Sequence, residues 1–243
     1  MSYVAKGGKN IFGVYIGILM LETHFPRIPG ELGNATSFNY PVRYHIVKGA
    51  SPHKVVREKD PALLNLFIKG AQELEKFGVR AITTNCGFLA QFQQEIANAV
   101  NVPFFSSSLM QIPMIYRMLK KDQKVGVLTV NSASLTPDLF KKVGVEGIPL
   151  VVKGLENEEE FTHVMLDDIL EMDVDKARDE NVKVAKELIK ENPDVGAIVL
   201  ECTNMPPYAK AIQEAVQLPV FDIFTLADMV YNSLVKFEVN GQM

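Results

Sequence analysis

The chain contains two cysteines, and their surroundings raise the first question about its chemistry. Cys86 follows the strand-like stretch 79–84, and Cys202 follows the apolar stretch 195–200. A helix-like segment begins shortly after each cysteine. Backbone N–H groups and the helix dipole at a helix start favour a thiolate and lower the pKa of a thiol. The two thiols are therefore candidate acid and base groups.

An internal repeat relates the sequences around the two cysteines. A shift of 116 positions places Cys86 over Cys202 and superimposes apolar positions on both sides of them. A proline follows each cysteine at a distance of 17 residues, Pro103 in the first half and Pro219 in the second. The repeat indicates two similar structural units, each with one thiol at the same place.

Strand-like and helix-like segments alternate along the chain, which predicts an α/β fold with parallel sheets covered by helices. The predicted strands are 12–21, 42–47, 79–84, 103–105, 124–130, 148–152, 195–200 and 219–221. The main predicted helices are 61–77, 88–100, 110–119, 135–142, 174–191 and 226–237. With the repeat, this pattern predicts two similar lobes, each a parallel β-sheet flanked by helices, related by pseudo-twofold symmetry.

The repeat also suggests how the chain is divided. We expect residues 1–115 and 220–243 to form an N-terminal lobe that carries Cys86, and residues 116–219 to form a second lobe that carries Cys202. Ligands of such folds bind beyond the carboxyl ends of the strands. Because both cysteines lie at strand ends, we expect them to face each other across an active site between the lobes.

Small polar residues at several strand ends could bind an anion. They are Thr84, Asn85, Gly87, Ser107, Asn131, Ser132, Thr203 and Asn204. Backbone N–H groups at helix starts add donors for a carboxylate. A carboxylate held between two thiols suits proton transfer at its neighbouring carbon, where one thiolate removes a proton and the opposite thiol returns one. Amides aimed at the carboxylate would stabilise the developing negative charge.

Other interpretations of the cysteines stay open at this point. Buried free cysteines often only fill space, and two cysteines could form a disulfide, although a cytoplasmic setting disfavours one. The four histidines show no ligand spacing with either cysteine, so we expect no metal site. Since no lysine has an evident cofactor context, we expect a reaction that uses no pyridoxal phosphate or other cofactor.

The composition limits the class of protein. The 243 residues are 47% hydrophobic and 22% charged, as in an ordinary globular chain. A net charge of −4 disfavours a nucleic-acid partner. The apolar run 11–21 has 11 residues, which is too short for a membrane span, and no small-residue cleavage site follows it. We therefore expect a cytoplasmic protein that binds neither membrane nor nucleic acid.

Three segments carry a resemblance to a known family. "FPRIPGELGNATSFNYPVRY", "TTNCGFLAQFQ" and "ECTNMPPYA" resemble motifs of the aspartate/glutamate racemase superfamily, over nearly the whole chain. The resemblance implies a pseudo-symmetric two-lobe fold, cofactor-independent racemisation of a small carboxylate and a homodimer. By position it gives Cys86 and Cys202 the two acid/base roles. It also implies carboxylate-binding groups at Asn85, Gly87, Asn131, Ser132 and Thr203.

The chain departs from the family pattern at three places. Glu22, Thr23 and His24 stand where glutamate racemases carry Asp-Ser-Gly after the first strand. Asn204 replaces a histidine two residues after the second cysteine, and Gly87 replaces the asparagine that usually follows the first. These differences leave the substrate open.

Residues of the long first loop offer two alternatives for substrate recognition. Arg27 and Arg43 could bind a second carboxylate, as an aspartate-like substrate would require, or could be solvated loop residues. Aromatic side chains could instead favour a bulkier and less polar substrate; they are Phe25, Phe38, Tyr40 and Phe88.

Three functions follow from these observations. The first is a two-base racemase or epimerase of an amino acid or related carboxylate. The second is a cysteine-dependent cis–trans isomerase or decarboxylase of a small diacid. The third is a non-catalytic relative that binds a metabolite in the same cleft, and the absence of the helper histidine at position 204 motivates it.

Overall fold

The structure is a computed structural model that describes residues 4–58 and 60–238, and its strands there form two four-stranded parallel sheets. The first sheet has the order β2-β1-β3-β4, with β1 (Ile16–Leu21), β2 (Val42–Val47), β3 (Ala81–Thr84) and β4 (Phe104–Phe105). The second has the order β6-β5-β7-β8, with β5 (Lys124–Thr129), β6 (Leu150–Gly154), β7 (Val195–Leu200) and β8 (Val220–Phe221). The equivalent orders confirm the predicted pair of similar parallel-sheet lobes.

Helices flank both sheets. The α-helices are α1 (Leu64–Phe77), α2 (Gln93–Ala97), α3 (Ile112–Met118), α4 (Pro137–Lys142), α5 (Phe161–Asp167), α6 (Val174–Glu191), α7 (Ala209–Val216) and α8 (Ile223–Leu234). Short 3₁₀ segments are Ala35–Ser37, Pro61–Leu63, Gly87–Phe92, Ser108–Gln111, Ser132–Ser134 and Pro206–Tyr208, and His53–Glu58 forms a π-helical turn. None of the helices found in residues 4–58 and 60–238 is both long and apolar enough to cross a membrane.

The central strands are apolar on both faces because helices cover both sides of each sheet. Every residue of β1, β3 and β7 is buried. The parallel register pairs Leu19 with Thr84 in the first sheet and Leu128 with Leu200 in the second. The carboxyl ends of neighbouring strands therefore lie together, and the loops after β3 and β7 carry the cysteines to the same side of the molecule.

Several elements differ from their predicted bounds; the last helix, for example, is Ile223–Leu234 rather than 226–237. The first strand begins at Ile16 rather than at residue 12, because Gly13 adopts a φ of +85° and Phe12 is exposed. The predicted helix 88–100 starts as the 3₁₀ segment Gly87–Phe92 and is α-helical only in α2.

The predicted lobe boundary needs one correction. Strand β8 pairs with β7, so residues 220 and 221 belong to the second sheet and not to the first lobe. Helix α8 crosses back and packs on the first sheet, where Ile223 and Leu226 join Ile16 and Ile18 in one apolar cluster. Helix α3 similarly packs against β5 of the second sheet. Each lobe thus lends its last helix to the other, because the apolar face of that helix covers the neighbouring sheet.

Candidate active site

Cys86 lies where the chain leaves β3. It occupies the N-cap of the 3₁₀ segment Gly87–Phe92, and the backbone N–H of Leu89 donates to its carbonyl oxygen at 3.0 Å. Thr84 fixes this turn, since its Oγ1 lies 2.9 Å from the Cys86 carbonyl oxygen and accepts from the Cys86 N–H at 3.4 Å. The strand, its turn and the following N–H groups hold the thiol at the sheet edge.

Cys202 occupies the equivalent place after β7 and is buried. The backbone N–H of Met205 donates to the Cys202 carbonyl oxygen at 3.1 Å. Thr203 ties this loop to the other lobe, because its hydroxyl donates to the Asn85 carbonyl oxygen. The two cysteine loops therefore contact each other directly.

A small cleft lies between the two loops, and both Cys86 and Cys202 line it. The prediction that the two thiols face one cavity is confirmed. Most of the wall is apolar, and its apolar residues are Leu21, Phe25, Pro52, Val56, Phe88, Val130, Met165 and Leu166. The polar lining is provided by Thr23, Asn85, Glu201 and Asn204. Both cysteines thus border a small and largely apolar space.

Burial raises the pKa of both thiols, which corrects the prediction that the helix starts lower it. For Cys86, burial and the nearby Glu201 carboxyl raise the pKa to about 12, although the N–H groups of Phe88 and Leu89 act in the opposite direction. For Cys202, burial and Glu201 also raise the pKa well above that of an ordinary thiol. Loss of water around the sulfurs outweighs a few backbone hydrogen bonds. Both thiols are therefore protonated at neutral pH.

Asn85 lines the cleft and Thr203 does not, and hydrogen bonds within the two cysteine loops engage both residues. The Asn85 side-chain oxygen accepts the Leu21 N–H at 2.7 Å, which ties the Cys86 loop to the end of β1. The Thr203 carbonyl accepts the Leu32 N–H at 3.5 Å. The Asn85 side-chain oxygen thus accepts one hydrogen bond, and the Thr203 hydroxyl already donates to the Asn85 carbonyl oxygen. We therefore expect a substrate carboxylate to bind to backbone N–H groups of these loops.

Arg27 lies behind the cleft wall. Its guanidinium donates to Glu31 at 3.1 Å, to the side-chain oxygen of Asn204 at 3.0 Å and to Thr23 at 2.6 Å. It also stacks over the Phe25 ring, 4.2 Å from its centroid. Arg27 therefore orients two lining residues, and the Glu31 carboxyl engages its guanidinium.

Arg43, Ser107, Asn131 and Ser132 do not line the cleft. Arg43 pairs with Gly17 near the amino end of β1, at the edge of the sheet opposite the cysteines, and its guanidinium lies over the Phe77 ring. Ser107 caps the segment Ser108–Gln111 by accepting the Leu109 N–H at 3.3 Å.

The loop after β5 is likewise occupied by contacts of its own. Asn131 is the N-cap of the segment Ser132–Ser134. Ser132 uses both its N–H and its hydroxyl to contact Glu156. Ser107 and Ser132 thus make local contacts, and the substrate-binding role expected for them stays a prediction.

Glu201 is fully buried and lines the cleft, although it was not among the site residues predicted from the sequence. One carboxyl oxygen accepts the Thr129 hydroxyl at 2.7 Å, while the other has no hydrogen-bond partner among the described residues. Burial raises the pKa of Glu201 to about 8. The sequence did contain a signal: an acidic residue directly follows the apolar run 195–200, and burial of an unpaired charge there would cost free energy.

Gly87 is explained by Glu201. A Cβ atom at position 87 would overlap the Glu201 Oε1 atom and lie 2.5 Å from the Glu201 carbonyl oxygen. The residue after the first cysteine must therefore lack a side chain, because the carboxyl of the opposite loop occupies that space. This close approach accounts for the glycine at a position where the resemblance leads one to expect asparagine.

Contacts between the lobes also form one rim of the cleft. Asp168 accepts the backbone N–H groups of His24 at 2.6 Å and Phe25 at 3.0 Å, and its other oxygen contacts the His24 ring at 2.8 Å. Arg57 pairs with Asp167 at 3.1 Å across the same rim. In residues 4–58 and 60–238, no group of three or more His, Cys, Asp or Glu side chains is arranged to hold a metal ion.

Comparison with known proteins agrees with this architecture. The sequence profile of the Asp/Glu/hydantoin racemase family matches residues 54–227. The structure resembles glutamate racemase from Bacillus anthracis, with a TM-score of 0.59 and 14% identity over 90% of this chain and 82% of that one. This likeness shows a shared two-lobe fold.

Curated relatives carry a different kind of name. A dimethylsulfoniopropionate lyase of Durusdinium sp. clade D is 33% identical over 93% of this chain and 77% of its own length. Dimethylsulfoniopropionate lyase 7 of Emiliania huxleyi is 31% identical over 93% of this chain and 70% of its own length. The matched profile covers most of the chain and both cysteine loops, and we conclude that the chain belongs to the Asp/Glu/hydantoin racemase family.

Proposed function

We propose that the protein is a cofactor-independent lyase. One of its two cysteines, as a thiolate, removes a proton from the carbon next to a carboxylate, and a leaving group departs from the following carbon. The substrate class is a small monocarboxylate with a cationic leaving group, of which dimethylsulfoniopropionate is the example to test. The observation that carries this proposal is a cysteine thiol in a largely apolar cleft, with no lysine or arginine among the residues described as lining it.

The charges around the cleft favour a monocarboxylate over a diacid. No lysine or arginine is among the residues described as lining the cleft. Arg27 is engaged by Glu31 and Asn204 behind the wall, and Arg43 lies at the opposite edge of its sheet. A second carboxylate, as in aspartate or glutamate, would enter this apolar space without a cation to balance it, which costs free energy.

The walls suit a leaving group that carries methyl groups and a positive charge. Phe25, Phe88 and Met165 face the cleft. Aromatic rings attract a cation through the negative face of the ring, and apolar walls bind its methyl groups. A dimethylsulfonium group combines both properties.

The proposed step balances without a cofactor. The thiolate sulfur forms a bond to the proton of C2, and the C2–H electron pair becomes the second bond between C2 and C3. The C3–sulfur bond breaks, and its electron pair stays on the leaving sulfur as neutral dimethyl sulfide. Acrylate remains, and the protonated cysteine returns its proton to solvent before the next turnover.

Both curated relatives described above are named as lyases of dimethylsulfoniopropionate, which supports this reaction class for the present chain. The second thiol favours an alternative. An elimination requires one base, whereas two thiols that face one cleft also suit a racemase, in which each thiol serves one face of the carbon. An amino-acid racemase is therefore the second candidate.

One experiment separates the two candidates. The purified protein is incubated in D₂O with dimethylsulfoniopropionate and, separately, with each enantiomer of aspartate, glutamate and alanine. Head-space chromatography measures dimethyl sulfide, and proton NMR measures acrylate and the loss of the α-proton signal. Dimethyl sulfide and acrylate in equal amounts support the lyase, whereas α-deuteration of an amino acid alone supports the racemase. No product and no exchange with any compound contradicts both.

A further inference from the structure

Glu201 is the one acidic side chain among the residues described as lining the cleft. It lies at the end of β7, directly before Cys202, and its carboxyl reaches across to the loop of Cys86. The absence of a side chain at Gly87 makes room for it. The carboxyl group therefore sits between the two cysteine loops.

One oxygen of this carboxyl accepts a hydrogen bond, and the other has no hydrogen-bond partner among the described residues. Oε2 accepts the Thr129 hydroxyl at 2.7 Å, so the end of β5 holds the group in place. Oε1 is buried and has no hydrogen-bond partner in the part of the chain that the structure describes. Buried polar atoms normally find a partner, so an orphan oxygen in a binding cleft points to a ligand atom as its missing partner.

The surroundings of Glu201 favour its neutral form. The groups that face it are the thiols of Cys86 and Cys202 and the Thr129 hydroxyl. The nearest charged pair, Arg27 and Glu31, lies outside the lining of the cleft, and its two side chains bond each other at 3.1 Å. Burial raises the pKa of Glu201 to about 8, so a neutral carboxylic acid is present at neutral pH.

We propose that Glu201 is a catalytic residue, whose protonated carboxyl donates a hydrogen bond from Oε1 to the carboxylate of the substrate. The inference rests on the proposed function, because it assigns a partner to the substrate carboxylate of that reaction. When the thiolate removes the neighbouring proton, negative charge moves onto this carboxylate, and a donor already in place stabilises it. A carboxylic acid kept neutral by an apolar site is suited to this task.

The role makes the site sensitive to pH. Ionised Glu201 has no proton to donate and repels both the substrate carboxylate and a thiolate base. Glutamine at the same position has a similar shape, keeps a donor and does not ionise. Glu201→Gln should therefore bind a carboxylate equally well on both sides of the transition, whereas the wild-type protein should not.

The test is the binding of propionate, a carboxylate without a leaving group, measured by calorimetry at about pH 7 and about pH 9. With a pKa of about 8, the protonated fraction of Glu201 falls about tenfold over this range, and the wild-type affinity should fall by the same factor. Glu201→Gln should change less than about twofold. Glu214→Gln, a control at an exposed carboxyl of α7 outside the cleft, should keep the wild-type dependence.

Two results overturn the proposal: an unchanged wild-type affinity, or an equal fall in Glu201→Gln. Infrared spectroscopy of the wild-type protein provides a test that does not depend on folding of the variant. Addition of propionate at about pH 7 should shift the band of a protonated carboxyl, and an unshifted band contradicts the proposal. Because propionate does not react, failure of the lyase assay leaves this test intact, and the two hypotheses fail separately.

Discussion

Both thiols lose their protons less readily than solvated cysteines do, because the pKa of each is raised. Burial and the carboxyl of Glu201 raise the pKa of each thiol, and a few backbone N–H groups oppose this effect. A thiolate base must therefore form with help from the bound substrate, whose cationic group would favour the charged sulfur. This requirement links the reactivity of the site to the charge of its substrate.

The first prediction concerns the cysteines themselves. Substitution of the cysteine that acts as base by serine should lower kcat/KM for dimethyl sulfide release by about 10²- to 10⁴-fold, because a hydroxyl is a much weaker base. If the protein is a racemase, Cys86→Ser and Cys202→Ser should both lose racemisation. Each variant should retain slow α-proton exchange in D₂O with one enantiomer, and the two variants should exchange different enantiomers.

The exposed position Ser233 provides a control, because Ser233→Ala lies on α8 away from the cleft and should keep wild-type activity. Near wild-type turnover in both cysteine variants would exclude a thiol mechanism. Exchange of the same enantiomer by both variants would show that the sulfurs do not serve opposite faces of the carbon.

The second prediction concerns Gly87. Gly87→Ala should destabilise the protein by about 1–3 kcal/mol, because the added Cβ would overlap Glu201 and the two loops must separate. Chemical denaturation measures the free energy of unfolding. Gly7→Ala is the matched control, since a Cβ there meets no atom within 4 Å. Equal stability of the two variants would show that the Glu201 carboxyl does not occupy the space beside Gly87.

At the level of elements, parallel strands bring the reactive groups together. The loops after β3 and β7 leave their sheets at the same side, and the hydrogen bond from Thr203 to Asn85 joins them. Helices α3 and α8 each cover the sheet of the other lobe, so the cleft lies between units that are packed together at several places. A change in one of these helices should therefore affect the lobe contact as well as the helix.

The third prediction concerns the N-cap of α8, the helix that packs on the sheet of the first lobe. Asp222 caps the helix, accepting the N–H groups of Phe224 at 2.9 Å and Thr225 at 3.0 Å, while the Thr225 hydroxyl accepts the Asp222 N–H at 3.0 Å. Asp222→Ala should lower the free energy of unfolding by about 1–2 kcal/mol. Thermal and chemical denaturation measure the loss. Asp138→Ala, at an exposed residue in the first turn of α4, should change stability by less than about 0.5 kcal/mol. A loss no larger than in that control would contradict the role of the cap.

For the whole molecule, two buried carboxyls set the response of stability to pH. Burial raises the pKa of Glu31 to about 7, against the opposing effect of Arg27, and that of Glu201 to about 8, from an ordinary value of 4.5 for both. Between these values the folded protein binds more protons than the unfolded chain. Stability that is fully present below about pH 4.5 is therefore lost as the pH rises through about 7 and 8.

The fourth prediction follows from this sign. The free energy of unfolding of the wild-type protein should decrease between about pH 5 and about pH 8, by an amount on the order of a few kcal/mol. Glu201→Gln should lose less stability over the same range, because the glutamine cannot ionise. Urea denaturation at several pH values measures both curves. Parallel curves for the two proteins would show that Glu201 is not protonated in the folded state.

The homodimer implied by the family resemblance stays a prediction for the whole molecule. Light scattering coupled to gel filtration would determine the mass in solution and compare it with the 27.1 kDa of one chain. A mass of one chain over a range of concentrations would exclude a stable dimer.

The sequence by itself determined the fold and the place of the thiols. Period and composition of the strands, with a repeat that superimposes Cys86 on Cys202, predict two parallel-sheet lobes and a shared cleft, because local apolar patterns report burial directly. Strands 42–47 and 195–200 and helix 174–191 were predicted with the bounds that the structure has. The strand ends placed both cysteines at one edge.

Only the tertiary structure decided which other residues reach the cleft and how they are charged. Arg27 and Arg43 are equivalent in sequence terms, yet one lies behind the cleft wall and the other at the opposite sheet edge. The Glu201 carboxyl fits into the cleft because Gly87 of the other lobe, 114 positions away along the chain, has no side chain. The pKa of each thiol rises because both lobes together exclude water, and desolvation by distant segments leaves no local pattern in the sequence.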